Sequence, residues 1–513
     1  MKHQNRFPVL PENEHNRTLV NNVHPPDWIN PEPAGRYNLV VIGAGTAGLI
    51  SAVIGASLGA KVALIERHLM GGDCLNVGCV PSKGLIRASR VWAEVKNSPE
   101  FGVKLKKDGL TFDFGTALDR MYKTRAQISH NDSAQRYTEL GVDVFIGGGS
   151  FTGPDTIEVE GKALKFARAA ICTGGRAAGL PIPGLEEAGY LTNETVFELV
   201  ALPRRLAVIG AGPIGCELAQ AFARFGSEVT VFEQECRVLP REDPEAAEIV
   251  DRALARDGVR FICDASVKEV KKQGAEKVIR YTRPSGGNEV GVDEILVAIG
   301  RKPNVEGLNL EKAGVSFDRK GVTVNSRLQT SNSRIYAAGD IAFPFKFTHT
   351  AEATAQVLVQ NALFPHPFGL GYASTDSLII PWCTYTEPEI AHVGMYEADA
   401  KAKGLEVDTF RFNLDEIDRA ILDGKTEGFA KVHVKTGTDP SRGATIVADH
   451  AGDLISEFTV ARTGGLGLGT LGGTIHPYPT QAEVIKRVAN AWRKTTLTEG
   501  KKKFLKKLFS WMR

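Results

Sequence analysis

Two cysteines, Cys74 and Cys79, stand with four residues between them in "GGDCLNVGCVPSK" (71–83). Such a pair can grip a soft metal ion or open and close as a disulfide. Pro81 suits the first turn of a helix, and the apolar residues of "VPSKGLIRASRVWAEV" recur at helical spacing, so Cys79 is expected at or just before a helix N-terminus. There the helix dipole and the charge of Lys83 favour thiolate over thiol, the state that a redox sulfur needs. Structural zinc wants four ligands, usually two close pairs, and no second Cys or His pair at suitable spacing stands beside this one. Two inert thiols are the remaining alternative.

A working disulfide needs a source of electrons, and the chain holds two copies of a module that binds such sources. "RYNLVVIGAGTAGLISAVIGASLGAKVALIER" (36–67) and "PRRLAVIGAGPIGCELAQAFARFGSEVTVFEQ" (203–234) share one plan of apolar strand, glycine turn, helix, apolar strand and acid. Gly43, Gly45 and Gly48 form the first G-x-G-x-x-G, and Gly210, Gly212 and Gly215 the second. In each, the glycines permit a tight turn, a close approach of amides to a pyrophosphate, and close packing of helix on strand. Glu66 and Glu233 close the modules, each placed to accept hydrogen bonds from a ribose 2′-hydroxyl. Two dinucleotides are therefore expected, a held flavin and an exchangeable nicotinamide. Glu233 would repel a 2′-phosphate and Gln234 cannot clamp one, so NADH is favoured; Arg237 and Arg241 keep NADPH as the alternative.

A chain of 513 residues exceeds one hydrophobic core and implies two to four domains. With 42% hydrophobic and 24% charged residues it reads as globular and soluble, and a net charge of +2 offers nucleic acid no global attraction. Seven scattered cysteines are not a secreted disulfide scaffold, and neither a signal peptide nor an apolar run of about 18 residues is found, so a cytoplasmic protein is expected. Residues 1–35 read as a flexible extension. The tail, 496–513, ends in "KKKFLKKLFSWMR", whose apolar residues gather on one side of a helix and whose lysines gather on the other. That pattern suits a membrane surface or packing within a dimer.

The cysteine stretch resembles the redox-active motif of the pyridine nucleotide-disulfide oxidoreductases, the flavoprotein family of dihydrolipoamide dehydrogenase, glutathione reductase and mercuric reductase. "AAICTGG" (169–175), "VAIGRKPN" (297–304), "TSNSRIYAAGDIA" (330–342) and "YTEPEIAHVG" (385–394) follow in family order. The resemblance implies an α/β fold of two Rossmann-like domains, for FAD (36–184 and 310–371) and for the nicotinamide (185–309), with a C-terminal α+β dimerisation domain (372–495) and an obligate homodimer. It also implies Cys74 as interchange thiol, Cys79 as charge-transfer thiol, and Lys83 paired with Glu217 near flavin N5. Thr173, Gly174, Gly339, Asp340, Thr348 and His349 would contact FAD; Val267 and Gly300 would line the nicotinamide dinucleotide. Asp73 stands where the family commonly has threonine, and it is expected to turn away, meet a cation or tune Cys74.

Disulfide reductases of the family place a histidine before Pro-Thr and a glutamate after it. In "HPYPTQAE" (476–483) Tyr478 takes the histidine's position, Glu483 keeps the glutamate's, and His476 comes two residues early. In the family's dimer, Tyr478 and Glu483 would reach the partner's Cys74. A phenol with pKa near 10 is a poor base at neutral pH. Mercuric reductases resemble the chain here, since they also carry tyrosine, although their C-terminal cysteine pair and N-terminal metal-binding domain are not expected in it. The resemblance therefore implies electron transfer from NADH through FAD and the Cys74–Cys79 disulfide to a soft metal ion or another small acceptor. A dihydrolipoamide dehydrogenase or other low-molecular-weight disulfide reductase is the alternative.

Overall fold

The computed structural model describes residues 9–33, 35–104 and 109–513. They form two compact units: one comprises residues up to Gln234 with Gly258–Leu378, the other Glu235–Asp257 with Ile379–Arg513.

In the first unit, Arg36–Ile42 and Val62–Glu66 pair in parallel at the centre of a seven-stranded sheet. Their nearly unbroken apolar runs reflect cover on both faces. Leu39, Val41 and Leu64 pack against Ala47 and Ala52 of the helix Thr46–Ser57, whereas Val40, Ile42 and Ile65 point the other way toward Phe145 and Phe166. The second module repeats the plan in a four-stranded parallel sheet ordered Arg260–Ile262, Glu228–Phe232, Arg205–Ile209, Glu294–Val297. An antiparallel three-stranded sheet, Ser266–Gln273 to Gly286–Val292, adjoins it in sequence.

Residues 9–33 depart from the flexible extension read from the sequence. Glu14–Val23 is a helix, capped where the Asn13 side chain accepts from Asn16 N at 2.7 Å. Leu19 and Val23, one turn apart, are fully buried, and Arg125 donates to Asn16 Oδ1 at 2.7 Å. Beyond the helix, Trp28 Nε1 donates to Val144 O at 3.1 Å, and the Asn30 amide bonds both Ile146 O and Ile146 N, at 2.9 and 2.7 Å. Two anchoring apolar residues are too few to register as an amphipathic pattern in a stretch rich in Asn and Pro. Leu19→Ala should cost about 2–5 kcal/mol through transfer and cavity terms, read as a lower denaturant midpoint for the unit that holds it. Residues 1–8 of the extension lie outside the described residues.

The second unit is an antiparallel five-stranded sheet, ordered Pro381–Thr384, Glu389–Gly394, Ser441–Ala448, Phe429–Lys435, Val407–Asn413. Val432 and Ile446 on one face pack against Phe458 and Val488 from the helices Ala451–Thr463 and Glu483–Thr495. The segment 235–257, read from the sequence as part of the 185–309 domain, groups with this sheet instead. The physical reason is a buried charge: Lys431 Nζ sits 2.9 Å from Asp243 Oδ2 and 2.8 Å from Glu245 Oε1. An ammonium placed in a sheet needs such partners. Trp382 Nε1 and Tyr396 Oη both donate to the buried Glu242 carboxylate, at 3.0 and 2.5 Å.

Candidate active site

Cys74 lies in the short helix Gly72–Asn76 and Cys79 opens the long helix Cys79–Asn97. The reversal between them depends on Gly78, where an added Cβ would come 2.8 Å from Asp73 O. Both sulfurs are free thiols, the reduced form of the pair. The Cys74 thiol donates to Cys79, Thr348 Oγ1 lies 3.3 Å from Cys79 Sγ, and the Lys83 charge is one helical turn away. These three effects, in that order, lower Cys79 to about 6, against opposition from burial and from Glu217. The same hydrogen bond, with burial, drives Cys74 upward. The pair thus shares one proton, kept on Cys74, with the negative charge on Cys79.

Lys83 is itself fixed. Its Nζ sits 2.7 Å from Glu217 Oε2, a carboxylate buried in the helix Pro213–Phe225 that begins at the second glycine turn. The ion pair therefore ties the cysteine helix to the second dinucleotide module.

Asp73 meets a cation. Its carboxylate pairs with the Arg301 guanidinium, which also lies 3.2 Å from Asp340 Oδ2 and donates to Gly175 O at 2.8 Å. Burial raises Asp73 despite the guanidinium. Arg301 was present in the quoted "VAIGRKPN" stretch, but only the fold discloses that this one cation serves two carboxylates.

The two glycine turns are sterically alike. Gly43 and Gly210 hold positive φ, and a Cβ there would meet Cys172 O at 2.4 Å and Ala298 O at 2.6 Å. Helix packs on turn so closely that a Cβ on Gly48 would sit 1.7 Å from Gly43 O, and one on Gly215 2.0 Å from Gly210 O. Glu66 accepts from Ala44 N and His68 N, both at 2.7 Å; Glu233 accepts from Ala211 N at 2.8 Å and Gln234 N at 2.7 Å. Each acid is thereby fixed at the mouth of its own turn, and burial raises Glu66.

Contacts join the flavin candidates into one neighbourhood. Gly72, beside Asp73 and Cys74, approaches the first turn so nearly that its Cβ would lie 2.7 Å from Gly45 Cα. Gly339 adopts positive φ against Ala47, Asp340 is tied through Arg301 to Asp73, and Thr348 touches Cys79. Thr173 Oγ1 donates to Asn304 O at 2.9 Å, Gly174 O accepts from Asn304 N at 3.0 Å, and His349 stacks on Phe347. Turn amides for a pyrophosphate, Glu66 for a ribose and a polar surround beside Cys79 fit FAD. On the nicotinamide side, Gly212 and Gly300 face open space, and Val267 packs against the core of the second module.

In the second unit Tyr478 is 71% exposed, and its Oη donates to Asp418 Oδ2 at 2.7 Å, a bond that raises the phenol further. Glu483 is taken up by Arg487, 2.7 Å away. His476 has an oxygen at each ring nitrogen, Glu457 Oε1 at 2.9 Å from Nε2 and Thr474 O at 3.2 Å from Nδ1. Neither Asp418 nor Glu457 was apparent from the sequence.

The family model of the pyridine nucleotide-disulphide oxidoreductases matches residues 37–356, and that of their dimerisation domain matches 380–489. The chain is 37% identical over 457 residues to a mercuric reductase of Staphylococcus aureus, covering 89% of this chain and 82% of that protein. It is 36% identical over 466 residues to a dihydrolipoyl dehydrogenase of Thermus scotoductus, covering 90% and 98%. Among solved structures it is similar to the HOCl-induced flavoprotein disulfide reductase RclA of Escherichia coli, with a TM-score of 0.78, 27% identity and coverage of 88% and 99%. With both matches in family order and these two relatives covered over 82% and 98% of their length, the chain belongs to the pyridine nucleotide-disulphide oxidoreductases, enzymes that use FAD and NAD(P)H and carry a domain for pairing as homodimers.

Proposed function

We propose that the chain takes electrons from NADH and delivers them through Cys74 and Cys79 to a soft metal ion, as a mercuric-reductase-like enzyme. The observation that carries this reading is Tyr478 at the position of the disulfide reductases' histidine, hydrogen-bonded to Asp418. Breaking a substrate disulfide releases a thiolate that needs a proton donor with a pKa near neutrality. A divalent metal ion held between two thiolates needs none: it gains two electrons as Cys74 and Cys79 lose two and close to a disulfide. An acid-base site set far from neutrality suits the second reaction.

FAD, when bound, supplies two-electron transfer between the nicotinamide and the sulfurs. The chain's own residues hold the charges that this transfer needs. Lys83 and Thr348 stabilise the Cys79 thiolate, Glu217 positions Lys83, and Cys74 keeps the shared proton until an acceptor displaces it. In this assignment residues 36–184 and 310–371 bind FAD, the second glycine module binds the nicotinamide with Glu233 selecting NADH, and 372–495 joins two copies.

The test is an acceptor panel of mercuric and cupric ions, lipoamide, glutathione disulfide and quinones, run with NADH and with NADPH. Mercuric ion with NADH should give a kcat/KM at least about tenfold above that with lipoamide. Faster turnover of lipoamide than of any metal ion would overturn the assignment in favour of a dihydrolipoyl dehydrogenase.

A further inference from the structure

The C-terminal segment forms a helix, Glu499–Trp511, that no other helix or strand packs along extensively among the described residues. Thr498 caps it, its side chain accepting from Lys501 N, so the helix is built at its start rather than continued from the one before it. At 100° per residue, Phe504, Leu505, Leu508, Phe509, Trp511 and Met512 fall within an arc of about 160°. Lys502, Lys503, Lys506 and Lys507 lie on the opposite side, with Arg513 after them. Lys501 alone falls within the apolar arc, and its ammonium turns back to Thr496 O at 2.9 Å. Trp511 is 82% exposed and Phe504 66%.

From this arrangement we infer that the helix docks the enzyme in the plane of an anionic lipid surface. Thirteen residues span about 20 Å, too short to cross a bilayer, and no helix among the described residues is long and apolar enough to do so. A helix lying flat needs what this one has: an apolar side with Trp and Phe at headgroup depth, and a cationic side that meets anionic headgroups. Nucleic acid would match the lysines but leave the wide apolar arc in water. The lysines match acidic headgroups in charge, and lipid is the partner that takes up both sides at once.

The test is co-sedimentation of the full flavin-loaded chain and of a chain stopped before Lys501, which keeps every residue of the dinucleotide and cysteine sites. Vesicles are phosphatidylcholine alone or with about 30 mol % phosphatidylglycerol. The full chain should pellet with the anionic vesicles at least about tenfold more than the shortened chain. That binding should fall as salt is raised to about 0.5 M. A W511S/F509S double variant should lose it while retaining NADH oxidation. Equal pelleting of the full and shortened chains would overturn the inference. So would undiminished binding to phosphatidylcholine alone, or a full chain that stays in the supernatant while the shortened one changes oligomeric state. That last result would give the apolar face to a second copy.

Discussion

Replacement of Cys79 by serine is expected to lower NADH-driven reduction of every acceptor by about a thousandfold or more, the scale of loss when one member of a unit of reacting groups is removed. A serine hydroxyl cannot close a disulfide with Cys74, and it does not ionise near neutrality, so the route for two electrons out of the protein ends there. The flavin should still be reduced by NADH, because Glu217, Lys83 and both glycine turns are untouched. Anaerobic NADH titration separates these effects: the native protein takes up the electrons of flavin and disulfide together, and the variant those of the flavin alone. Cys74→Ser should block turnover to the same degree but leave a thiolate at Cys79 to perturb the flavin spectrum. Full turnover in either variant would remove the dithiol from the reaction.

The charge on Cys79 supplies the second result. With that thiol lowered to about 6, the long-wavelength absorbance of a thiolate beside the flavin should be complete at pH 8 and disappear as pH falls through about 6. Lys83→Met removes a cation that favours the thiolate, so the midpoint should move up by about one unit, each unit being worth about 1.4 kcal/mol between the two protonation states. Thr348→Val should move it in the same direction by withdrawing a hydrogen bond. Spectrophotometric pH titration of the reduced protein measures both, and an unmoved midpoint in Lys83→Met would exclude the lysine from this role. The sign for stability follows. An unfolded cysteine keeps its proton up to about 9, so in the reduced protein the Cys79 contribution is gained as pH rises from about 6 to 9. The upward displacement of Cys74 acts oppositely, and its contribution is lost only above that window.

Much of this site was legible because its parts are local. A glycine turn, the helix after it and the acid that closes its module lie within about 25 residues, and their spacing is imposed by backbone sterics that recur wherever a dinucleotide is bound. Cys79 at a helix start could be read from Pro81 and the apolar period alone. What could not be read is what the fold brings from a distance. Asp73 and Arg301 are 228 positions apart, and nothing around Asp73 says which cation meets it. Tyr478 and Asp418 are 60 apart, so the phenol's partner appears only once the antiparallel unit is built. The segment 235–257 misled for the opposite reason, since it follows directly on a dinucleotide module, yet its carboxylates are required by a lysine buried far along the chain.

Val142–Ile146 is the outermost strand on its side of the seven-stranded sheet, and Trp28 and Asn30 take the outward groups of Val144 and Ile146. A strand margin left bare is a template on which another chain can pair. The segment before the first motif therefore works as a selvage, finishing the sheet so that it does not run on into its neighbours. A gene trimmed at Arg36, where the recognisable sequence begins, would encode all the dinucleotide chemistry on a sheet prone to aggregate edge to edge.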